Sequence, residues 1–251
     1  TEPTRPFNVL PFECLNDEGR AIDYTYNGWI KLRNDEKYST NSLMTLKLKE
    51  NGIIEGKVKN IYNGYDAYRL RELITTYTLD GYKAIVASNH PTWQIDSLEV
   101  SNVDSIDKQV IEVMNITVKD AYQILETNEN SKKYVLTKVL FFSNQLENDF
   151  INVERKYPIS FGCPIEEKYF FILEVPDNYE LIDKKNDIKY MMPQNYGSYT
   201  YNLIQNGNFV QLKIKYELQK YDYNNSDYEL IRKFQDQVVK KTNEVLLFDV
   251  K

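Results

Sequence analysis

The sequence predicts a mostly β fold with a few helices, built as antiparallel, sandwich-like sheets in two domains. Three features point there. Tyrosine is abundant, at 21 of 251 residues beside 11 Phe and only 4 Met, and such rings suit half-buried pleated surfaces, where one face packs and the hydroxyl stays wet. Apolar residues alternate with polar ones in several short runs, the period of a strand with one buried face. Asn-Gly and Asp-Gly steps punctuate those runs. The chain is long enough to bury a core without a disulfide or metal.

From the N-terminus, residues 1–20 read as irregular, because Pro3, Pro6 and Pro11 forbid a regular helix and Asn16-Asp17-Glu18-Gly19 signals a turn. Residues 29–32 read as a short strand. Met44, Leu46 and Leu48 alternate with polar neighbours, and Ile54, Gly56 and Val58 do so again. Setting Leu48 opposite Ile54 and Met44 opposite Val58 requires a loop of odd length. A three-residue loop, Glu50-Asn51-Gly52 with Gly52 left-handed, is therefore expected; a two-residue Asn-Gly turn would set apolar residues opposite lysines. Ala67, Leu70, Ile74 and Tyr77 share one helical face over 66–77. Asp80-Gly81 ends that helix and a second short one follows over 82–87. Strands are expected over 98–103, 109–118 and 133–142. The polar stretch 143–149 places a domain boundary near residue 146. It divides the chain into 1–145, a β-rich domain with a helical insertion near 66–87, and 146–251, an antiparallel β-domain.

In the second half, residues 169–175 form a strand that Pro176-Asp177-Asn178 closes. Pairing Leu203 with Val210, Tyr201 with Leu212 and Tyr199 with Ile214 fits a two-residue type I′ turn at Asn206-Gly207. Ser226 and Glu229 have the spacing of a capping box. The helix they would start, over 226–241, carries Leu230, Phe234 and Val238 on one face and Lys240-Lys241 at its C-terminal end. Residues 245–248 return as a final strand.

Composition narrows the function classes. The net charge is −6, and no basic run exceeds the pairs Lys132-Lys133, Lys184-Lys185 and Lys240-Lys241, which read as solvated turns and a solvated helix end; this argues against nucleic acid as partner. No apolar run approaches the roughly 20 residues of a membrane span. Cys14 and Cys163 form no metal motif and leave the redox compartment open. His90 is the one histidine, so Cys14, His90 and Asp96 are the sole possible Cys-His-Asp set. Cys14 precedes no helix that would lower its pKa and His90 reads as a loop residue before Pro91, so no triad is assigned. Glu166 and Glu167 would point to opposite strand faces, which does not suit paired-carboxylate hydrolysis, and nothing else marks a buried acid. Asp222, Asn224 and Ser226 share the one-three-five spacing of a calcium loop, but Asp227 stands where its glycine belongs and Lys233 where its last acid belongs. Gly64 lacks the companion glycines and lysine of a phosphate loop. Trp29 and Trp93 could stack sugars, yet each is more readily a core anchor. No catalytic, cofactor-binding or metal residue is assigned, and no cofactor is expected.

The chain opens on Thr1, as expected of a processed product or a segment from within a longer protein. Leu10-Pro11-Phe12-Glu13-Cys14-Leu15-Asn16-Asp17-Glu18-Gly19-Arg20 resembles a stretch of exported bacterial transglutaminase-like proteins. In that family a papain-like core is flanked by β-domains of unknown function, and the stretch resembles the segment just after the core. Glu154-Arg155-Lys156-Tyr157-Pro158-Ile159-Ser160-Phe161, Val175-Pro176-Asp177-Asn178-Tyr179 and the closing Glu244-Val245-Leu246-Leu247-Phe248 resemble its C-terminal β-domain. The resemblance implies that the family's catalytic Cys, His and Asp lie upstream of Thr1, that Cys14 is not the nucleophile, and that the protein is exported to the periplasm or cell surface. The role expected is a non-catalytic accessory region that packs against, or presents, the upstream transglutaminase-like domain of the same chain. The alternative is a stand-alone carbohydrate- or cell-surface-binding β module, which the tyrosines and the two tryptophans motivate.

Overall fold

The computed structural model describes residues 4–15, 18–33, 36–49, 51–119, 121–126, 133–138, 147–182 and 185–251. In chain order the first half holds β1 (Glu18–Ile22), β2 (Asn27–Lys31), β3 (Tyr38–Leu48), β4 (Ile54–Gly64), α1 (Tyr65–Asn89), β5 (Trp93–Ser101) and β6 (Val110–Val118). Next come β7 (Tyr122–Glu126), β8 (Lys133–Lys138), β9 (Ile159–Ser160), β10 (Ile165–Glu174), β11 (Tyr179–Leu181) and β12 (Lys185–Met191). The chain closes with β13 (Gly197–Asn206), β14 (Phe209–Leu218), β15 (Asp222–Tyr223), α2 (Tyr228–Thr242) and β16 (Val245–Val250). The fold is mostly β with two helices, as the tyrosine content and alternation predict. Residues 139–142 of the strand expected over 133–142, the boundary at 146, and Asn16, Asp17, Glu50, Lys132 and Lys184 lie outside the described residues.

The main sheet runs β12-β13-β14-β10-β3-β4-β6-β5, and β11-β16-β8-β7 form a second sheet. Among the described strands β3 and β10 pair in parallel and the others antiparallel. Strands from both sides of residue 146 thus share one sheet. Register aligns Leu203, Leu212, Phe171, Met44, Val58 and Met114 in a single row across six strands, and none of them is more than 4% exposed. Burying side chains of this size contributes about 1.5–3 kcal/mol each. α2 and the second sheet close this face: Phe234 stacks on Tyr216 at 6.0 Å, and Gln235 donates to the Tyr216 hydroxyl. Phe248 on β16 meets Tyr179 on β11 in the same core.

The first hairpin has the expected register, with Leu48 opposite Ile54 and Met44 opposite Val58. Lys49 N–H donates to Ile53 O at 2.9 Å, which leaves a three-residue loop, and Gly52 has φ +84°. The later hairpin differs from expectation. Asn206 pairs with Phe209, so the loop is Gly207-Asn208, and Leu203 faces Leu212 in place of Val210. Of the two loop residues only Gly207 has positive φ, +58°. That is the pattern of a type II′ turn, which takes glycine first, where type I′ needs both residues left-handed. The shift is two residues, so parity is kept and the same side chains stay inside.

Four further expectations are corrected. The N-terminal segment is not irregular throughout: β1 and β2 form a hairpin whose tip Asp23 organises, its Oδ1 accepting from the N–H groups of Thr25 and Tyr26 at 2.6 and 2.9 Å. α1 breaks at Thr78, where the helix expected over 66–77 ends, but the piece that follows runs on to Asn89, and Tyr77 is exposed and does not share the buried face. The capping box does not form: α2 starts at Tyr228, Glu229 is taken by Lys233 at 2.7 Å, and Asp227 is held by Lys220 at 2.8 Å. Lys241 is not a solvated helix end. It is 4% exposed, with Nζ 4.4 Å over the Tyr201 ring and 2.5 Å from Glu244.

Cys14 is an exposed free thiol, whereas Cys163 is a buried one whose pKa burial pushes up to about 11. The thiolate is the reactive form. The native protein is therefore expected to take one equivalent of iodoacetamide, at Cys14, and a second at Cys163 only after unfolding; intact-mass spectra would show which. Rapid double labelling of the folded protein would contradict the buried placement of Cys163.

Candidate functional site

Two residues along the sheet face from the apolar row, the inward positions turn polar. Ser42, Asn60 and Glu112 stand side by side on β3, β4 and β6, with Thr40 and Tyr62 in the next row. α1 covers this patch, and between helix and sheet lies a cavity of about 320 Å³. Gly64 makes the turn from β4 into α1 with φ +55°, and a Cβ there would come within 2.1 Å of the Lys37 carbonyl oxygen, so the junction requires glycine.

Glu112 is the centre of the polar patch and is 1% exposed. Its Oε2 accepts from Asn60 Nδ2 at 2.7 Å and from the Tyr62 hydroxyl at 2.9 Å, and its Oε1 accepts from the Tyr82 hydroxyl at 2.6 Å. Ser42 Oγ donates to Asn60 Oδ1 at 2.7 Å, which fixes that amide's orientation. Burial first, and the Glu112 carboxylate second, hold the Tyr62 and Tyr82 phenols well above their ordinary value. Asp66, in the first turn of α1, accepts from Thr40 Oγ1 at 2.8 Å. Burial raises its pKa, against the lowering effects of Thr40 and Arg69. At the mouth His90 stacks on Trp93, with ring centres 3.9 Å apart and 11° between planes, and burial lowers its pKa from the ordinary 6.5.

The roof residues Tyr82, Val86 and His90 follow the break at Thr78, whose φ of 64° and ψ of 172° are costly for a β-branched side chain. Thr78→Gly is expected to stabilise the protein by about 1 kcal/mol, because glycine reaches these angles without a clash. Only a weak Thr78 Oγ1 contact to Gly81 N–H, at 3.4 Å, is lost. The urea midpoint measures this, and a lower midpoint would mean the hydroxyl contact outweighs the strain. A second cavity of about 380 Å³ shares Arg69 with the first and is walled by Phe12, Tyr38, Tyr65 and Tyr68.

A different kind of site lies on the β1–β2 hairpin, which forms a two-stranded sheet of its own. Ile22 and Trp29 project from one of its faces, 70% and 65% exposed, and Tyr24 at the tip is fully exposed. Arg20, opposite Trp29, donates from Nε to Asn27 Oδ1 at 3.0 Å. An isolated two-stranded hairpin is marginal in water, and large apolar side chains exposed on its face make it a candidate docking surface. Trp29 is thus not a core anchor, whereas Trp93 is buried.

The structure disperses the other sequence candidates. Cys14 sits on a 3-10 turn over Phe12–Cys14, His90 on the far end of α1, and Asp96 at a bulge in β5 facing solvent, held by Gln94 and Thr117. Glu166 and Glu167 do point to opposite faces: Glu166 pairs with Lys37 and Lys168, and Glu167 accepts from the Tyr169 hydroxyl at 3.1 Å. Asp222 belongs to β15 and accepts from Ser160 Oγ at 2.8 Å. Among the described residues no group of three or more His, Cys, Asp and Glu gathers as metal ligands, and no helix is long and apolar enough to cross a membrane. Sequence reasoning missed Glu112 as a buried acid. The signal was present: Glu112 falls in phase with Val110, Met114 and Ile116 on the inward face of β6.

Residues 132–248 match the family model described as a domain of unknown function with solved structure, DUF3858. No curated protein matches the chain. A solved structure, described as that of a "putative protease" from Parabacteroides distasonis, is similar at 16% identity and a TM-score of 0.40. The similarity covers 48% of this chain and 24% of that one, so the match spans about a quarter of the solved protein.

Proposed function

We propose that this chain is a non-catalytic accessory region of a larger exported protein, and that it docks through the β1–β2 hairpin onto a transglutaminase-like catalytic domain of the same polypeptide. The exposed Ile22–Trp29 face carries the reading. The stretch Leu10–Arg20, which resembles the segment just after such a core, includes the first residues of β1. A core on its N-terminal side would therefore lie within reach of the hairpin. The Asp23 bonds at the tip order the face in advance and lower the entropy cost of docking.

Cross-linking mass spectrometry on the intact protein from its source cells tests this. Cross-links from Lys31 on β2 to an upstream domain carrying Cys, His and Asp are expected. They should be lost in an Ile22→Ser/Trp29→Ala variant whose melting temperature is unchanged. A source protein with no domain upstream, or amide-transfer activity in residues 1–251 alone, would reject the proposal.

The alternative, a glycan-binding module, draws on the second cavity, where Phe12 and Tyr38 rings lie beside Arg5, Glu13 and Glu72. Stacking rings beside charged side chains suit sugar hydroxyls and ring faces. Saturable binding in a glycan screen, abolished by Tyr38→Ala and untouched by Trp29→Ala, would favour it over hairpin docking.

A further inference from the structure

We propose that the cavity beneath α1 binds a small organic cation, a primary ammonium on a short apolar stem, with Glu112 as its counter-ion. Glu112 is buried and every bond it accepts comes from a neutral donor, two phenols and one amide. Among the described residues no cationic nitrogen pairs with it. A carboxylate has about four acceptor positions, so the three bonds leave one open, on Oε1. Buried charges are ordinarily paired, because neutral hydrogen bonds repay only part of their desolvation.

The other charged groups at the cavity are Asp66 and Arg69, both on α1. Arg69 offsets one of the two carboxylates, and His90 adds no charge near neutral pH, so one negative charge remains. Tyr62, Tyr82, Trp93 and Tyr169 contribute aromatic surface to the lining, and ring faces attract ammonium groups. Leu73, Val86 and Met114 supply an apolar wall for the stem. The volume of about 320 Å³ is at the small end of ligand pockets, which suits an aliphatic amine or a single lysine side chain.

Isothermal titration of the whole chain at neutral pH tests the inference with three probes: pentylamine, its neutral isostere pentanol, and Nα-acetyl-lysine amide. Pentylamine is expected to bind one to one with Kd near 1 mM or tighter, and pentanol about tenfold or more weakly. Binding of the lysine amide as tightly as pentylamine would point to a peptide side chain as the natural source; its failure beside good pentylamine binding would point to a free amine. Glu112→Gln keeps an acceptor and removes the charge, and should weaken pentylamine about tenfold while leaving pentanol unchanged. Leu73→Trp fills the cavity from the partly exposed side of α1 and should block both probes, which covers the case in which Glu112→Gln fails to fold. The inference is overturned if the wild type shows no saturable pentylamine binding up to about 10 mM, or if pentanol binds as well. Undiminished amine binding by folded Glu112→Gln or folded Leu73→Trp would overturn it equally.

Discussion

Glu112→Ala is expected to lower the unfolding free energy by about 3–5 kcal/mol, read from urea denaturation at neutral pH. The substitution strands three buried donors at once, the hydroxyls of Tyr62 and Tyr82 and the side-chain amide of Asn60. Each orphaned donor costs on the order of 1–3 kcal/mol, and the space left holds no apolar replacement. The loss belongs to the network more than to the acid. Glu112→Leu combined with Tyr62→Phe and Tyr82→Phe removes the acceptor with two of its three donors, leaves only the Asn60 amide stranded, and should recover much of it. Non-additivity is therefore expected among these neighbours. A loss below about 1 kcal/mol for Glu112→Ala would show that the donors find other partners, and that the bonds drawn to Glu112 are not what holds α1 to the sheet.

Arg71→Met is expected to cost about 3 kcal/mol and to loosen residues 102–108. Arg71 is 1% exposed on the buried face of α1. Its Nε donates to the Val103 carbonyl at 3.1 Å, and its Nη2 to the carbonyls of Ser105 at 2.7 Å, Lys108 at 2.5 Å and Asn102 at 3.3 Å. One guanidinium thus gathers four carbonyls of the β5–β6 connection, which the Asn102 side chain also closes through Gln109 O. Nη1 is buried without a hydrogen-bond partner, a cost tolerated because the other donors are placed together. Hydrogen exchange should resolve the effect, with the Ser105 and Lys108 amides exchanging at least about tenfold faster while β3 and β10 amides keep their protection relative to global unfolding. Arg71→Lys should rescue only part of the loss, since an ammonium cannot reproduce the planar fork. Unchanged exchange in 102–108 would mean the connection is held by its own turns.

Much of the fold was legible in short-range pattern. The alternation of Met44, Leu46 and Leu48 against Ile54 and Val58 determined the register and the odd loop, because the side-chain period of a strand is two and a one-residue slip exposes the whole set. The same parity kept the inward set of β13 and β14 correct even though the turn sits one residue later than expected. The break in α1 was readable from Asp80-Gly81 to within two residues, and Ser226-Glu229 marked the start of α2 without forming the box it suggested.

Although β1, β7, β11 and β12 went unpredicted, the class of fold, the helical period of α1 and α2 and the inward faces of β3, β4, β13 and β14 were therefore legible in the residues alone. All of these follow from neighbours within a few residues. Long-range folding decided that β3 pairs in parallel with β10, that Glu112 is covered by α1 with three neutral donors, and that Trp29 stays 65% exposed while Trp93 is buried. Alternation fixes the side of the sheet on which a residue lies. Whether that side is wet or dry, and whether a polar residue there meets a donor, depends on a segment far along the chain folding over it.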